Sequence, residues 1–261
     1  MLTNLRTSNS PLLRVHVAAV GFEVDRIVMP AIRMKADRVW LLAHSRPGED
    51  KGIPFRESIE DHLKRSNIEF IQMLADRTDL FDTLRALSSI IMQEKKNAIY
   101  VNVSVGSKIQ AIASMMACMM YKDTAIMIKP YYAVPERYST APKKQETEGV
   151  KEIVGLPEYK IETPTDNLIR CMVIIGQHGG KITKKELKNQ AMLDGLIHVI
   201  KKEDKEPTEQ APYMALNKNL IEPLVNWQFI SVEKIGSHHV VHLTDEGEHA
   251  LKFLRVRTAV E

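Results

Sequence analysis

Hydrophobic and polar positions along the chain fall into two regimes. From residue 14 to about residue 128, short β-rich runs alternate with longer stretches of helical period, the pattern of a parallel sheet wound by helices. Residues 15–20 read as a first strand that ends at Gly21. Val24, Ile27, Val28, Ala31 and Ile32 then fall at i, i+3, i+4, i+7 and i+8, one apolar stripe of a helix. Further strands are expected at 38–43, 68–73, 98–103 and 124–128, with helices over 55–66 and 80–95 and a methionine-rich helix ending near Tyr121. Beyond Pro130 the period is lost, and the mixture of aromatics, prolines and charges predicts an exposed excursion. Residues 150–156 have strand character suited to an edge or hairpin, and Pro157 and Pro164 mark a linker.

The last hundred or so residues change character. A helix over about 166–176, apolar at Leu168, Ile169, Met172, Val173 and Ile175, ends at a turn carrying Gly179 and Gly180. Thr183 and Glu186 form a capping box for the next helix. After the charged stretch 201–212 comes a third helix, about 212–227, whose inward stripe is Leu216, Leu220 and Leu224. A strand, a tight turn at Gly236 and Ser237, a second strand and a terminal helix opened by Thr244 or Asp245 complete the chain. Three helices followed by a β-hairpin is the order of a winged helix-turn-helix. The expected fold class is α/β: a Rossmann-like, mostly parallel sheet wound by helices over residues 12–158, a linker over 159–165, and a small winged helix-turn-helix domain over 166–261.

Composition bounds this picture. The 261 residues exceed one typical domain of roughly 100–200 residues, and 44% hydrophobic with 26% charged residues allows a sizeable core and excludes a mainly disordered chain. Cys118 and Cys171 stand in apolar runs without metal-type spacing and read as buried thiols in a reducing compartment. The N-terminal apolar run of about seven residues is too short for a secretory signal or membrane span. A cytoplasmic protein with a mobile lead-in over residues 1–10 is therefore expected. A net charge of +3 confines any nucleic-acid contact to a local patch.

The fourth strand leads into Asn102-Val103-Ser104-Val105-Gly106-Ser107-Lys108. In an open α/β sheet, ligands bind outside the carboxyl ends of the strands where strand order reverses, and strands one and four would flank that point. There Gly106 lets backbone N–H groups approach an anion, while Ser107 offers a hydroxyl and Lys108 a charge at a helix N-terminus. Gly21, Phe22 and Glu23 form the opposite lip, Phe22 suited to stacking on a base and Glu23 to bonding a ribose or amino group. The same Gly-Ser-Lys turn also serves a plain strand-to-helix connection, which needs glycine and an N-cap, so both readings stand at this point. Met115, Met116, Met119 and Met120 read as core or subunit interface.

The segment resembles the Asp-aliphatic-Thr-Gly-Gly-Thr-Lys type of motif that follows the fourth strand in CARF domains, the Rossmann-like sensors associated with CRISPR systems. Ser104, Gly106, Ser107 and Lys108 agree in kind, whereas Asn102 stands in place of the acidic residue and Val105 in place of the first glycine. The second half is similar to the winged helix of archaeal CARF-type transcriptional regulators. The resemblance implies a homodimer whose paired loops, with Ser104 and Val105 joining Gly21, Phe22, Glu23, Gly106, Ser107 and Lys108, hold a symmetric nucleotide such as a small cyclic oligoadenylate. The two winged helices would then face two half-sites of double-stranded DNA, with ligand changing their separation or angle.

In the C-terminal unit the third helix is the expected reader, with Tyr213, Asn217 and Lys218 off its leucine stripe and Pro223 kinking its end. Lys181, Lys184, Lys185 and Lys188 crowd the preceding helix and suit phosphate contacts, although a solvated helix face explains each of them as well. Acidic and basic groups are about equal in number after residue 158, so the small positive excess lies in the first half. Ser237 at the turn, with His238 and His239 beyond it, is assigned to wing contacts with the DNA backbone, plain surface being the alternative for the histidines. His238 and His242 share a strand face but stand roughly 13 Å apart, and His239 points the other way, so no metal site is expected. His16 reads as a satisfied core histidine. No cofactor, membrane contact or hydrolytic constellation is read. The rival function is a ring nuclease in which Lys108 and Ser107 stabilise the scissile phosphate. A nicotinamide-dependent oxidoreductase is disfavoured because Gly21-Phe22-Glu23-Val24-Asp25-Arg26 lacks G-x-G-x-x-G.

Overall fold

The computed structural model describes residues 11–139, 145–198 and 210–258; the lead-in 1–10 and most of the charged stretch 201–212 lie outside them. Two compact units make up the chain, Met1–Ile161 and Glu162–Glu261. Among the described residues no helix is long and apolar enough to cross a membrane.

The first unit follows the order β1 (Arg14–Ala19), α1 (Asp25–Arg33), β2 (Arg38–His44), α2 (Ile53–Arg65), β3 (Glu69–Ala75), α3 (Leu80–Glu94), β4 (Ala98–Asn102), α4 (Lys108–Met120), β5 (Met127–Val134), β6 (Arg137–Tyr138), β7 (Thr147–Glu148) and β8 (Glu152–Gly155). Its six-stranded sheet has the order β3-β2-β1-β4-β5-β8. All neighbours are parallel except β8, which runs antiparallel to β5. β6 and β7 form a separate antiparallel pair. Central strands of such a sheet are covered on both faces, which is why Val15, Val17, Ala18 and Ala19 of β1 and Ala98, Ile99 and Val101 of β4 are all buried. Ala18 of β1 and Val39 and Leu41 of β2 pack with Ile27, Val28 and Ala31 of α1 and Ile59 and Leu63 of α2. Because crossovers are right-handed and strand order reverses between β1 and β4, α3 and α4 fall on the opposite face. The reversal also leaves a crevice at the carboxyl ends of β1 and β4.

Three expectations are corrected. Strand five does not stop at residue 128 but continues through Pro130 to Val134, burying Tyr131 and Ala133. Proline is tolerated there because the Pro130 carbonyl accepts from Leu156 N on the β8 side, just beyond the last β5–β8 pair at Tyr131 and Gly155. Backbone N and carbonyl of one strand residue face the same neighbour, so the missing N–H is not needed by β4. The second unit contains a strand that the sequence pattern hides, and its third helix is broken in the middle.

That unit comprises α5 (Asp166–Gln177), β9 (Lys181–Thr183), α6 (Lys184–Leu193), α7 (Ala211–Leu216), α8 (Glu222–Asn226), β10 (Ile230–Ile235), β11 (His238–Leu243) and α9 (Asp245–Leu254). Its sheet has the order β10-β11-β9, so Lys181 belongs to a strand paired with His242 and not to the following helix. Three residues are too few to show a period of two. Gly179 and Gly180, at φ +72° and +79°, turn the chain from α5 into β9. α7 and α8 are joined by a π-helical turn over Asn217–Ile221, closed by Glu222 N donating to the Asn217 carbonyl. Pro223 has no N–H to offer the Asn219 carbonyl and would crowd it in a regular helix, and the wider turn just ahead accommodates both effects.

His16 lies in the middle of β1 and is 1% exposed. Its Nδ1 stands 3.1 Å from the Tyr131 hydroxyl and its ring stacks on Tyr100, but Nε2 is buried without a partner among the described residues, so the core histidine is only half satisfied. Burial, with a smaller push from the Arg14 charge, lowers its pKa to about 4. The unfolded chain keeps an ordinary imidazole near 6.5 and takes up a proton first as pH falls. Stability should therefore drop between pH 6.5 and about 4, by about 3 kcal/mol in all. Urea denaturation at stepped pH should show this slope in the wild type and a flatter one in His16→Phe; parallel curves would refute it.

Candidate ligand and nucleic-acid sites

The loops leaving β1 and β4 meet backbone to backbone. A Cβ on Gly21 would lie 3.1 Å from Gly106 N and 3.2 Å from Gly106 Cα, and Gly106 itself adopts φ +83° above the Ala19 side chain. Asn102, at the end of β4, fixes the loop that follows. Its Nδ2 donates to the Arg26 carbonyl at 2.7 Å, and its Oδ1 accepts from Ser104 N at 3.0 Å and from the Ser104 hydroxyl. Ser104 Oγ in turn accepts from Ala133 N on β5 at 3.0 Å. Ser107 is the N-cap of α4, in a capping box with Gln110, and its hydroxyl donates to the Arg77 carbonyl at 2.7 Å. The amide at the acidic position of the resembling motif therefore does structural work for which a carboxylate lacks the donor.

These loops enclose a cavity of about 200 Å³ lined by Gly21, Phe22, Glu23, Ser104, Val105, Gly106 and Ser107, together with Val20, Arg26, Arg77 and Glu146. Seven of the eight residues singled out from the sequence thus come together. Lys108 does not; it is exposed at the first position of α4, outside the lining. Four others take different roles from those expected. Phe22 is half-buried against Phe55 at 5.5 Å, the Val105 side chain belongs to the core beside Ala18 and Ile27, and the Ser104 and Ser107 hydroxyls are engaged in the bonds above. Glu23 is 3% exposed and accepts from Thr147 Oγ1 at 2.6 Å and from Arg26 Nη1 at 3.4 Å. Burial raises its carboxyl above the usual range, against the lowering effect of Thr147 and Arg26.

Arg26, Arg77 and Glu146 were not legible as site residues. Arg26 sits inside the first helix, its Nε donating to the Ala133 carbonyl at 2.9 Å and its guanidinium 5.0 Å from the Tyr132 ring centre. Arg77 leaves β3 at the same end of the sheet and pairs with Asp50, which also accepts from Gly52 N at 2.9 Å. Only the position of Arg77 directly after a parallel strand could have marked it. A larger groove of about 740 Å³ lies beside α1 and α2, walled by Val24, Pro54, Phe55, His62 and Gln145 among others. Size does not make it the better site. It shares no lining residue with the strand-end cavity, and Gln145 is committed to structure, accepting from Val24 N and Asp25 N and donating to the Asp25 carboxylate.

In the second unit a cavity of about 360 Å³ is lined by Lys184, Lys185, Tyr213, Asn217, Ser237, His238 and His239, with Thr183. Residues from α6, the third helix and the tip of the wing thus converge as expected of one surface. Lys188 is drawn into it indirectly, its Nζ 4.8 Å from the centre of the Tyr213 ring, whereas Lys218 is exposed outside the lining. Asn217 opens the π turn, and its Oδ1 is buried without a hydrogen-bond partner among the described residues. His242 stands 3.7 Å from Glu233 across the hairpin, apart from His238 and His239.

A Rossmann-like domain with a strand-end cavity, followed by a winged helix domain, defines the class of this chain. Residues 14–138 match the family described as HFX_2341_N:-like, N-terminal, and residues 167–255 match the DUF6293 C-terminal winged helix domain. The chain is 23% identical to the uncharacterized protein MJ1513 of Methanocaldococcus jannaschii, over 92% of this chain and 96% of that protein. Among solved structures it is similar to Can2 from Sulfobacillus thermosulfidooxidans in complex with cyclic tetra-adenylate, with 14% identity and a TM-score of 0.39 over 94% of this chain. It is also similar to Enterococcus italicus Csm6 bound to cyclic hexa-2'-fluoro-hexa-dAMP, with 8% identity and a TM-score of 0.44 over 84% of this chain. The chain spans 65% of the length of Can2 and 56% of that of Csm6.

Proposed function

We propose that this chain is a ligand-responsive transcriptional regulator of the cytoplasm that works as a homodimer. The N-terminal domain binds a nucleotide in the strand-end cavity, with cyclic oligoadenylate as the class that the resemblance to CARF sensors implies. The C-terminal winged helix binds double-stranded DNA through the surface around Asn217, with Lys184, Lys185, Lys188, Tyr213, Lys218, Ser237, His238 and His239. The observation that carries this reading is the convergence of seven sequence-marked residues from two loops on one cavity at the reversal of strand order. Binding without cleavage is favoured over the ring nuclease because the Ser104 and Ser107 hydroxyls are both held in structural hydrogen bonds.

The test is retardation of DNA from upstream of the protein's own coding sequence, with and without cyclic tetra- or hexa-adenylate, followed by chromatography of the nucleotide. Ligand should alter retardation and be recovered intact. Asn217→Ala combined with Lys218→Ala should weaken specific retardation at least about tenfold, since one good base contact contributes about 1–3 kcal/mol. Unchanged affinity in the double variant would move the DNA surface elsewhere, and linear products would reassign the chain to the ring nucleases.

A further inference from the structure

We propose that a phosphate group of the ligand is held in the strand-end cavity by Arg26 and Arg77, with Lys108 outside the contact; this rests on the reading of that cavity as the ligand site. The two arginines come from outside the loops that the motif marks, one from α1 and one from the turn after β3. Both line the cavity, and each has a guanidinium nitrogen that is buried and lacks a hydrogen-bond partner among the described residues: Nη2 of Arg26 and Nε of Arg77. Arg26 is 5% exposed, with Nε and Nη1 already given to Ala133 and Glu23. Arg77 has its Nη2 on Asp50. Folded proteins leave few buried donors unpaired, and a charged one is the most costly to leave so.

The unpaired atoms decide the chemistry of the ligand. They are donors on cations, so they call for an acceptor-rich anion; an amine or a metal ion would meet repulsion. A guanidinium presents its N–H groups in a planar fork that matches phosphate oxygens. The 13-residue α4 begins at the same cavity, and its N-terminus favours the same charge. Glu23 and Glu146 also line the cavity. Glu23 is engaged by Thr147 and Arg26, and its ion pair with Arg26 offsets part of its opposition to an anion. At about 200 Å³ the cavity is below the roughly 300–1,000 Å³ of sites that enclose a whole drug-sized ligand. It therefore takes the phosphate and adjoining sugar and leaves the base outside.

Arg77 is also tied to α4, since its carbonyl accepts from the Ser107 hydroxyl. The backbone of Arg77 is thus anchored by the same residue that caps the helix. A substitution of its side chain leaves that backbone contact in place, which makes Arg77 the better residue to change than the doubly bonded Arg26.

The experiment is calorimetric titration of the full chain with cyclic tetra-adenylate, cyclic hexa-adenylate and pyrophosphate. The variants are Arg77→Gln, Arg77→Lys, Lys108→Ala and Asp50→Asn, the last of which breaks the Arg77 ion pair but keeps the guanidinium. Arg77→Gln should weaken whichever probe binds the wild type by about 10- to 100-fold, as loss of a charged hydrogen bond does. Arg77→Lys should weaken it by less, and Lys108→Ala and Asp50→Asn should stay within about threefold of the wild type or bind more tightly. A nucleotide that binds wild type and Arg77→Gln alike would overturn the arginine assignment while leaving the cavity as the nucleotide site. Equal loss in Asp50→Asn and Arg77→Gln would overturn it too, by showing a structural role alone. Pyrophosphate binding that needs Arg77, with no binding of either oligoadenylate, would uphold the anion site and end the oligoadenylate reading. No binding of any probe to the wild type would overturn both.

Discussion

Gly106→Ala is expected to destabilise the first unit by about 2–6 kcal/mol and to abolish nucleotide binding. The added Cβ would lie 2.5 Å from the Ala19 Cβ and 2.8 Å from Gln110 Oε1. Neither neighbour can give way cheaply: Ala19 is at the end of a central strand, and Gln110 Oε1 accepts from Ser107 N in the capping box. The φ of +83° adds strain that L-residues rarely bear. Strain and overpacking of this kind cost about 1–3 kcal/mol each, which gives the range stated. Urea denaturation followed by far-UV circular dichroism measures it. Gly48→Ala, whose Cβ meets nothing within 4 Å, is the matched control. A Gly106→Ala variant within about 0.5 kcal/mol of that control, the usual spread of harmless surface changes, would contradict the close approach of the two loops.

The second large effect is expected from Gly247→Ala in the first turn of α9. There a Cβ would fall 2.1 Å from the Phe229 carbonyl oxygen and 2.9 Å from its carbon. Side-chain adjustment offers no relief because the obstacle is backbone. The start of α9 is clamped to the turn before β10: Thr244 N donates to the Phe229 carbonyl at 3.1 Å, and Thr244 Oγ1 donates to the Gln228 carbonyl at 2.6 Å. Gly247 N completes the cap by donating to Thr244 Oγ1 at 3.0 Å. The methyl group must therefore push the helix away from the turn that anchors it, at a cost of about 3 kcal/mol or more. Hydrogen exchange read by mass spectrometry should show protection lost in α5, β11 and α9 and kept in β1 and β4. Uniform loss in both units, or none, would refute the prediction.

How much of this molecule the sequence discloses depends on how much each element owes to local pattern. β1, β2 and β4 are legible because strands buried on both faces need unbroken apolar runs. β5 was cut short because Pro130 is read as a stop, and only its neighbour β8 explains why the nitrogen is harmless there. β9 is three residues long and exists because β11 offers it an edge. At the ligand cavity the loop residues are legible from the strand-to-helix punctuation, but side-chain placement is not, so Lys108 is grouped with them although it is exposed outside the lining. Arg26 and Arg77 reach the cavity through tertiary packing; nothing near Arg26 signals it, and Arg77 has only its place just after a parallel strand. Gly247 carries no local signal, because its constraint comes from a carbonyl 18 positions away in the chain.

The π turn of the third helix bears on the straightness of its buried seam. Leu216, Leu220 and Leu224 recur every fourth residue, and on a regular α-helix each such step overshoots one full rotation by about 40°. Over two steps the stripe would wind off the core. The wider turn over Asn217–Ile221 advances less per residue and winds the opposite way, so the two drifts offset and all three leucines stay buried. Phase correction in the middle of the helix thus keeps its inner edge in register with the core while Tyr213 and Asn217 stay on the cavity side.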